Sequence, residues 1–196
     1  MVEPDAVAVA HRRRLLDALD ESIRENGYAN TTVADIVRRA RASRRTFYQH
    51  FPDREAALVA LLTDTNKSTV RAIATAVDPA EPWQAQIRQA ITAWIARSES
   101  HPALTLSWIR DVPALGTAAR SLQRDAMDGF ITLVQTLSNT AELRQAGIEP
   151  VPQARAIMLI GGLRELTAIT VESGGQLSDV AEEAVESAIA LLRPRP

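Results

Sequence analysis

Cysteine is absent from the sequence. Its absence excludes disulfide bonds, thiolate metal sites and a cysteine nucleophile, and it favours a reducing compartment, so we expect a cytoplasmic protein. Long apolar runs are also missing, since no stretch approaches the about 20 residues that a membrane-spanning helix needs. The N-terminal part contains Arg12, Arg13 and Arg14 but no apolar segment of the signal-peptide kind. We therefore expect neither membrane insertion nor export.

Signals for β-strands and for catalysis are equally scarce. Aromatic residues make up 4% of the chain, and we find no run of alternating β-branched residues between turn signals. The sequence has no His-x-x-x-His pair, no glycine-rich phosphate loop and no Gly-x-Ser-x-Gly elbow. Glu182, Glu183 and Glu186 have the spacing of a solvated helix face. We therefore predict no catalytic residue, no metal and no cofactor, although an enzyme is the main alternative class.

The charge of the chain is unevenly distributed. The net charge is −2, yet residues 1–54 contain ten arginines against eight acidic residues, which leaves −4 for the remainder. Between Ile36 and Arg54 the only acidic residue is Asp53, and the arginines of that stretch are Arg38, Arg39, Arg41, Arg44, Arg45 and Arg54. This cluster could attract a polyanion although the whole chain would not.

Apolar residues recur at helical spacing along most of the sequence, as in Leu15, Leu16, Leu19 and Ile23. Glycine and proline clusters separate the periodic segments. The pattern predicts an all-α fold of about nine helices and no sheet. Their expected ranges are 7–26, 33–40, 44–50, 53–76, 83–98, 102–111, 114–138, 151–172 and 179–193.

The second and third predicted helices are short and closely spaced. Thr32 and Asp35 have the spacing of a capping pair, and Ser43 can cap the next helix. Phe47 and Phe51 lie four residues apart on the inner side of that helix, and Pro52 ends it. A three-residue turn between two such helices is typical of a helix-turn-helix, whose second helix enters the major groove of DNA.

Residues 14–58 resemble the TetR family of bacterial repressors. The resemblance is carried by the stretch from Glu25 to Val33 and, more specifically, by Thr46-Phe47-Tyr48-Gln49-His50-Phe51-Pro52-Asp53-Arg54-Glu55-Ala56-Ala57-Leu58. It implies a DNA-binding domain over 1–54, a helical ligand-binding and dimerisation domain over 55–196, and a repressor that a small ligand releases from a palindromic operator. Two positions depart from the family pattern, which usually has glycine at Arg41 and lysine at Arg54.

Side-chain chemistry and the resemblance together suggest how DNA would be contacted. We expect Arg44, Arg45 and Tyr48 to contact bases, because arginine can donate two bonds to guanine and tyrosine can touch a thymine methyl. The expected phosphate contacts are Thr32, Thr46, Gln49, His50 and Arg54. The alternative is a solvated cationic helix face, with His50 as an ordinary surface histidine.

The remaining helices are expected to dimerise the chain and to hold its inducer, as the resemblance implies. The predicted dimer interface in the last two helices comprises Leu159, Leu163, Leu166, Val185, Ile189 and Leu192. A largely apolar, unidentified ligand is predicted to contact Trp94, Thr105, Trp108, Met127, Phe130 and Arg164. Both sets could instead fill the protomer core. A constitutive DNA-binding or interaction protein without a ligand is the alternative function.

Overall fold

The structure is a computed structural model that describes residues 4–193. Within that range the chain is all-α, with ten α-helices and no strand. The helices are α1 (Pro4–Asn26), α2 (Val33–Arg39), α3 (Arg44–His50), α4 (Arg54–Ala76), α5 (Trp83–Ser100), α6 (Pro102–Leu106), α7 (Thr117–Leu137), α8 (Ala141–Gln145), α9 (Gln153–Glu172) and α10 (Ala181–Leu192). The predicted fold class is confirmed. Among the described helices, none is long and apolar enough to cross a membrane.

The helices divide between two compact units. The first unit contains residues 4–65 and Ala103–Leu122, and the second contains Asn66–Pro102 and residues 123–193. The first unit therefore extends beyond the 1–54 domain predicted from the sequence and includes a second segment of the chain. Since compactness does not define a functional boundary, the division at residue 54 stays a prediction.

The core of the first unit forms around α1. Leu15, Leu19 and Ile23 are almost completely buried, as their spacing along the helix predicts. They pack in one cluster with Ile36, Phe47, Phe51, Leu58 and Leu62. α1 ends at Asn26, and the next residue, Gly27, has a φ of +73°, which glycine adopts at little cost. The predicted end of α1 is thus confirmed, whereas its start lies at Pro4 instead of residue 7.

The second unit has its own core. Ile87, Ile91 and Ile95 lie at four-residue spacing on one face of α5, and they pack in a cluster with Val185 and Leu192 of α10. Phe130 and Ile131 from α7 and Ala156 and Ile160 from α9 complete this cluster. At the surface, Arg88 of α5 and Glu182 of α10 form two hydrogen bonds of 2.5 and 2.6 Å.

Two helix predictions differ from the structure. The helix predicted over 102–111 is α-helical only to Leu106 and continues as a π-helical turn over Ser107–Asp111 and a 3-10 turn over Val112–Leu115. Pro113 explains the change, because it has no N–H to donate and its ring clashes with the carbonyl four residues earlier. α8 is absent from the prediction, although Thr140 caps it by accepting a hydrogen bond from the Leu143 amide. With only five residues, α8 is too short to show helical periodicity.

Candidate nucleic-acid interface

α2 begins with the capping pair predicted from the sequence. The Thr32 hydroxyl accepts a hydrogen bond of 3.2 Å from the Asp35 amide, and the Thr32 amide donates one of 3.1 Å to the Asp35 carboxylate. The Thr32 hydroxyl also donates to that carboxylate at 2.6 Å. These bonds and the Arg38 ion pair hold the pKa of Asp35 below its usual range, with the Thr32 side chain as the largest cause. The prediction of a capped helix is confirmed.

The turn after α2 has a left-handed residue where the sequence has arginine. Arg41 has a φ of +48°, and no other non-glycine residue with positive φ occurs among residues 4–193. The Ala42 amide donates to the Val37 carbonyl at 2.9 Å and the Arg41 amide to the Arg38 carbonyl at 3.3 Å, which is the Schellman pattern. The backbone therefore keeps the geometry that favours glycine, and Arg41 is strained by it.

α3 presents its two faces to different surroundings. Ser43 caps it by accepting a 3.0 Å hydrogen bond from the Thr46 amide, as predicted. Phe47 is completely buried, and its ring centroid lies 5.6 Å from that of Phe51. On the outer face, Tyr48 is 55% exposed. Arg44, Arg45 and Gln49 are also exposed, whereas Thr46 and His50 are half-buried. α3 is thus anchored in the core by Phe47, and its polar side is exposed to solvent.

The arginines of this region differ in what neutralises them. Arg38 pairs with Asp35 at 3.1 Å, and Arg39 forms a two-pronged contact with Glu25. The Arg39 contact holds the pKa of Glu25 below its usual range. In the part of the chain that the structure describes, no ion pair involves Arg44 or Arg45. Cations at a helix N-terminus also oppose the helix dipole, so folding alone gives no reason for two arginines here.

Arg54 contacts the chain itself. One guanidinium nitrogen, Nη1, donates to the Tyr28 carbonyl at 3.1 Å and also to the Thr31 carbonyl. The guanidinium carbon lies 4.3 Å from the centroid of the Tyr28 ring. Tyr28 is buried, and burial raises the pKa of its phenol. No role for Tyr28 is predicted from the sequence, because a contact across 26 positions produces no local pattern.

Comparison with known proteins bears on this domain directly. Residues 15–61 match the family profile described as "Bacterial regulatory proteins, tetR family". Residues 15–61 therefore belong to the TetR family, which is a family of DNA-binding transcriptional regulators and not of enzymes. Among curated proteins, none matches the chain in sequence.

Several solved structures share the fold of the chain. The fatty acid degradation regulator FadR from Bacillus halodurans is 17% identical with a TM-score of 0.78, over 92% of this chain and 94% of that one. FadR from Bacillus subtilis in complex with stearoyl-CoA is 17% identical with a TM-score of 0.77, over 94% and 99%. Reduced NemR from E. coli is 15% identical with a TM-score of 0.75, over 95% and 100%.

The residues predicted to bind a ligand are divided between the two units. Trp94 and Phe130 meet edge to face in the second unit with centroids 5.2 Å apart, and the Trp94 indole N–H donates to the Thr167 hydroxyl at 3.3 Å. Met127 packs against the same core. Thr105 and Trp108 belong to the first unit, where Trp108 packs against that unit's core. Thr167 had no sequence signal of its own.

The second unit also contains an apolar cavity that the sequence did not predict. Its volume is about 60 Å³, well below the roughly 300–1,000 Å³ of most ligand pockets. None of the predicted ligand residues lines it. The lining is provided by Val77, Gln86, Ile87, Ala90, Ile91, Val134, Leu137, Ser138, Leu143, Leu159, Ala188 and Leu192.

The predicted dimer residues lie at two depths. Val185 and Leu192 are buried in the core of the second unit, which places them inside the protomer. Leu159, Leu163, Leu166 and Ile189 are half-buried. The exposed apolar residues of α9 were not in the predicted set, and they are Ile157, Met158 and Ile169.

Proposed function

We propose that this TetR-family protein is a cytoplasmic repressor that binds a palindromic operator as a homodimer and is released by a small, largely apolar ligand. The main support for sequence-specific DNA binding is the exposure of three side chains on the outer face of α3. Arg44 and Arg45 are exposed there, and Tyr48 is 55% exposed. Neither arginine has a carboxylate partner in the described chain. Such a face is suited to the acceptor groups of DNA.

Base contacts and backbone contacts are assigned to different residues. We assign base reading to Arg44, Arg45 and Tyr48, since arginine donates two bonds to guanine O6 and N7. We assign contacts with DNA phosphates to Thr32, Thr46, Gln49 and His50. Such contacts fix the register of the protein on the duplex without reading its sequence. Thr32 supports this assignment because it stands at the N-terminus of α2, which the capping pair holds in a defined orientation.

The proposed dimer surface is the outer side of α9 with its groove towards α10. Met158 and Ile169 of α9 are 62% and 55% exposed, and exposed apolar side chains that form a patch mark interaction surfaces. Gly162, exposed on the same helix, would let a second helix approach closely. The groove is lined by Met158, Leu159, Gly162, Leu163, Leu166, Glu183, Ala184, Ser187, Ala188 and Leu191. A symmetric pair on this surface would present two recognition helices to two half-sites.

The proposed ligand has an apolar body and an anionic group. Trp94, Phe130 and Met127 offer the apolar contacts in the second unit. Arg164 is half-buried, its Nε is buried without a hydrogen-bond partner, and burial lowers the pKa of its guanidinium. An anion would satisfy that donor. The Bacillus subtilis FadR structure contains stearoyl-CoA, a molecule that has both an apolar acyl chain and anionic phosphates.

Release of DNA would follow from a shift between two dimer states. α4 is continuous in sequence from the first unit into the second, because the units divide between Thr65 and Asn66. A ligand that prefers one orientation of α4 would change the separation of the two recognition helices. Equal separations in ligand-bound and DNA-bound crystals would contradict this mechanism.

Selection of bound fragments from a random DNA pool tests the DNA-binding part of the proposal. We expect a palindrome whose half-site centres are about 34 Å, or one helical turn, apart. A single unrepeated site would contradict a symmetric dimer. If the purified protein binds no double-stranded DNA even at low ionic strength, the DNA-binding function itself is wrong.

Ligand binding is tested with stearoyl-CoA as the first probe and then with a chemical library. We expect an active ligand to release the selected DNA and to change tryptophan emission, and we expect Trp94→Phe to abolish the emission change. Trp83→Phe, in the same unit, is the matched control and should retain it. A ligand that releases DNA but leaves Trp94 unperturbed would contradict the placement. Release by no compound would favour a constitutive DNA-binding protein.

A further inference from the structure

Arg54, the first residue of α4, contacts the connection between α1 and α2. Its Nη1 donates to the Tyr28 carbonyl at 3.1 Å and to the Thr31 carbonyl, and one face of its guanidinium covers the Tyr28 ring at 4.3 Å. Its side chain is half-buried in this arrangement. The three contacts fix both the position and the plane of the guanidinium, which a single hydrogen bond would not do.

The connection that Arg54 contacts is itself tightly folded. The Thr31 amide donates to the Tyr28 carbonyl at 3.1 Å, and the Thr31 hydroxyl donates to the Gly27 carbonyl at 2.9 Å. Asn30 donates from its side chain to the Asn26 carbonyl at 3.0 Å. Thr31 is completely buried. The Tyr28 carbonyl thus accepts from both the Thr31 amide and Arg54, and the Thr31 carbonyl accepts from Arg54.

The peptide that joins Thr31 to Thr32 is held at both of its polar ends. Its carbonyl accepts from Arg54, and its N–H donates to the Asp35 carboxylate at 3.1 Å. Since this peptide leads directly into α2, the two bonds set the direction in which the N-terminus of α2 points. Thr32, the N-cap residue of α2, is oriented by the same peptide.

We infer that Arg54 is a positioning residue for DNA binding, which acts through the α1–α2 connection and does not itself bind a phosphate. The inference rests on the proposed placement of Thr32 and the N-terminus of α2 on the DNA backbone. Nη1 of Arg54 already donates to two backbone carbonyls, and the Tyr28 ring covers one face of the guanidinium. α4 is thereby tied to the DNA-facing end of α2.

We expect lysine to replace Arg54 in this role only in part. Its ammonium carries the same charge and would still attract a phosphate, but it has no planar face for the Tyr28 ring and no rigid fork of donors. A phosphate contact and a positioning contact therefore predict different results for Arg54→Lys.

The salt dependence of DNA affinity separates the two roles. Each phosphate that a protein neutralises adds about 0.9 to the slope of log affinity against log salt concentration on double-stranded DNA. We expect Arg54→Lys and Arg54→Met both to weaken binding of the selected operator about tenfold and to leave the slope unchanged. Arg45→Met is the control for loss of a cation that lies in the DNA groove, and we expect it to lower base discrimination as well as the slope.

A double-mutant cycle with Tyr28 provides a second test. Tyr28 is 6% exposed, so its side chain cannot contact DNA. Tyr28→Leu removes the ring beneath Arg54, and we expect it to weaken DNA binding at an unchanged salt slope. Arg54→Met added to Tyr28→Leu should then have much less effect than it has alone, because both changes disrupt one contact. Circular dichroism of each variant confirms that the helices are formed.

The contrary outcomes are distinct from failure of the proposed function. If Arg54→Lys binds like the wild type while Arg54→Met lowers the slope by about one, Arg54 is a phosphate ligand and the inference is wrong. Additive effects in the cycle would also overturn it. Failure of the proposed function would appear instead in the wild-type protein, as absence of binding to any duplex.

Discussion

α2 and α3 both contain two adjacent arginines, but the two pairs have different surroundings. Arg38 and Arg39 of α2 are neutralised by Asp35, Glu25 and Glu21. Arg44 and Arg45 of α3 are exposed, and the described part of the chain gives them no carboxylate. The arginines of α2 are thus paired within the protein, whereas those of α3 remain available to an external anion. Sequence composition counts all four arginines alike, whereas their partners distinguish structural cations from those free to bind DNA.

The largest effect expected from this comparison is the loss of a base contact from α3. Arg44→Ala should lower discrimination between the selected operator and a variant at one base pair by about 1–3 kcal/mol. The free energy of unfolding should change by less than about 0.5 kcal/mol, because an exposed side chain without a partner is removed. Fluorescence anisotropy with matched and mismatched duplexes measures the first quantity, and urea unfolding the second.

Arg38→Ala is the matched control on α2. Arg38 is exposed but paired with Asp35, so we expect little change in base discrimination. If the two variants lose discrimination equally, the distinction between the helices is wrong.

The second prediction concerns the cap that orients α3. Ser43→Ala removes the acceptor for the Thr46 amide and should lower the free energy of unfolding by about 1 kcal/mol. DNA affinity should fall with it, since Arg44 follows the cap directly. Ser43→Asp retains an acceptor and should preserve the stability while its added negative charge weakens DNA binding. Stability unaffected by Ser43→Ala in urea unfolding would show that the cap contributes nothing.

How far the sequence predicts each region depends on how far apart the contacting residues lie. Thr32 with Asp35, and Ser43 with Thr46, are three residues apart, so helix geometry alone predicts their contacts. The contacts of Arg39 with Glu25 and of Arg54 with Tyr28 cross 14 and 26 positions. They arise only when α1, α2 and α4 have packed. The sequence therefore predicts the helices and their caps, but it does not distinguish Arg39 and Arg54 from the other arginines of the cationic cluster.

The second unit follows the same principle. The all-α fold follows from apolar periodicity, but apolar spacing does not distinguish a dimer surface from a protomer core. Val185 and Met158 are both apolar residues of the last two helices, yet one is 1% and the other 62% exposed. The contact between Trp94 and Thr167 spans 73 positions, which no local pattern could predict.

The third prediction concerns the turn between α2 and α3. Arg41 has a φ of +48°, whereas the corresponding left-handed residues after α8 and α9 are Gly147 and Gly174. A non-glycine residue costs about 1–2 kcal/mol in this conformation, and glycine's greater chain entropy offsets part of that. Arg41→Gly should therefore raise the free energy of unfolding by about 0.5–1 kcal/mol. Ala42→Gly, at a position without positive φ, is the control and should lower it in the same urea titration.

The smallest expected effect is the pH dependence that the ion pair between α1 and α2 produces. Arg39 holds the pKa of Glu25 below its usual range through a hydrogen-bonded pair, so the folded protein binds a proton at this site less readily than the unfolded chain. The stabilisation is therefore complete above the unfolded carboxyl pKa and is lost as the pH falls through the lower, folded value. Glu25→Gln should be less stable than the wild type at neutral pH, and the difference should vanish in acid. The effect is small because the pair is solvent-exposed, and salt should reduce it further.

Glu55→Gln is the control, since no ion pair involves Glu55 among the described residues. If thermal unfolding from neutral to acidic pH gives the same difference for Glu25→Gln throughout, the ion pair does not fasten α2 to α1, and the contrast with α3 rests on exposure alone.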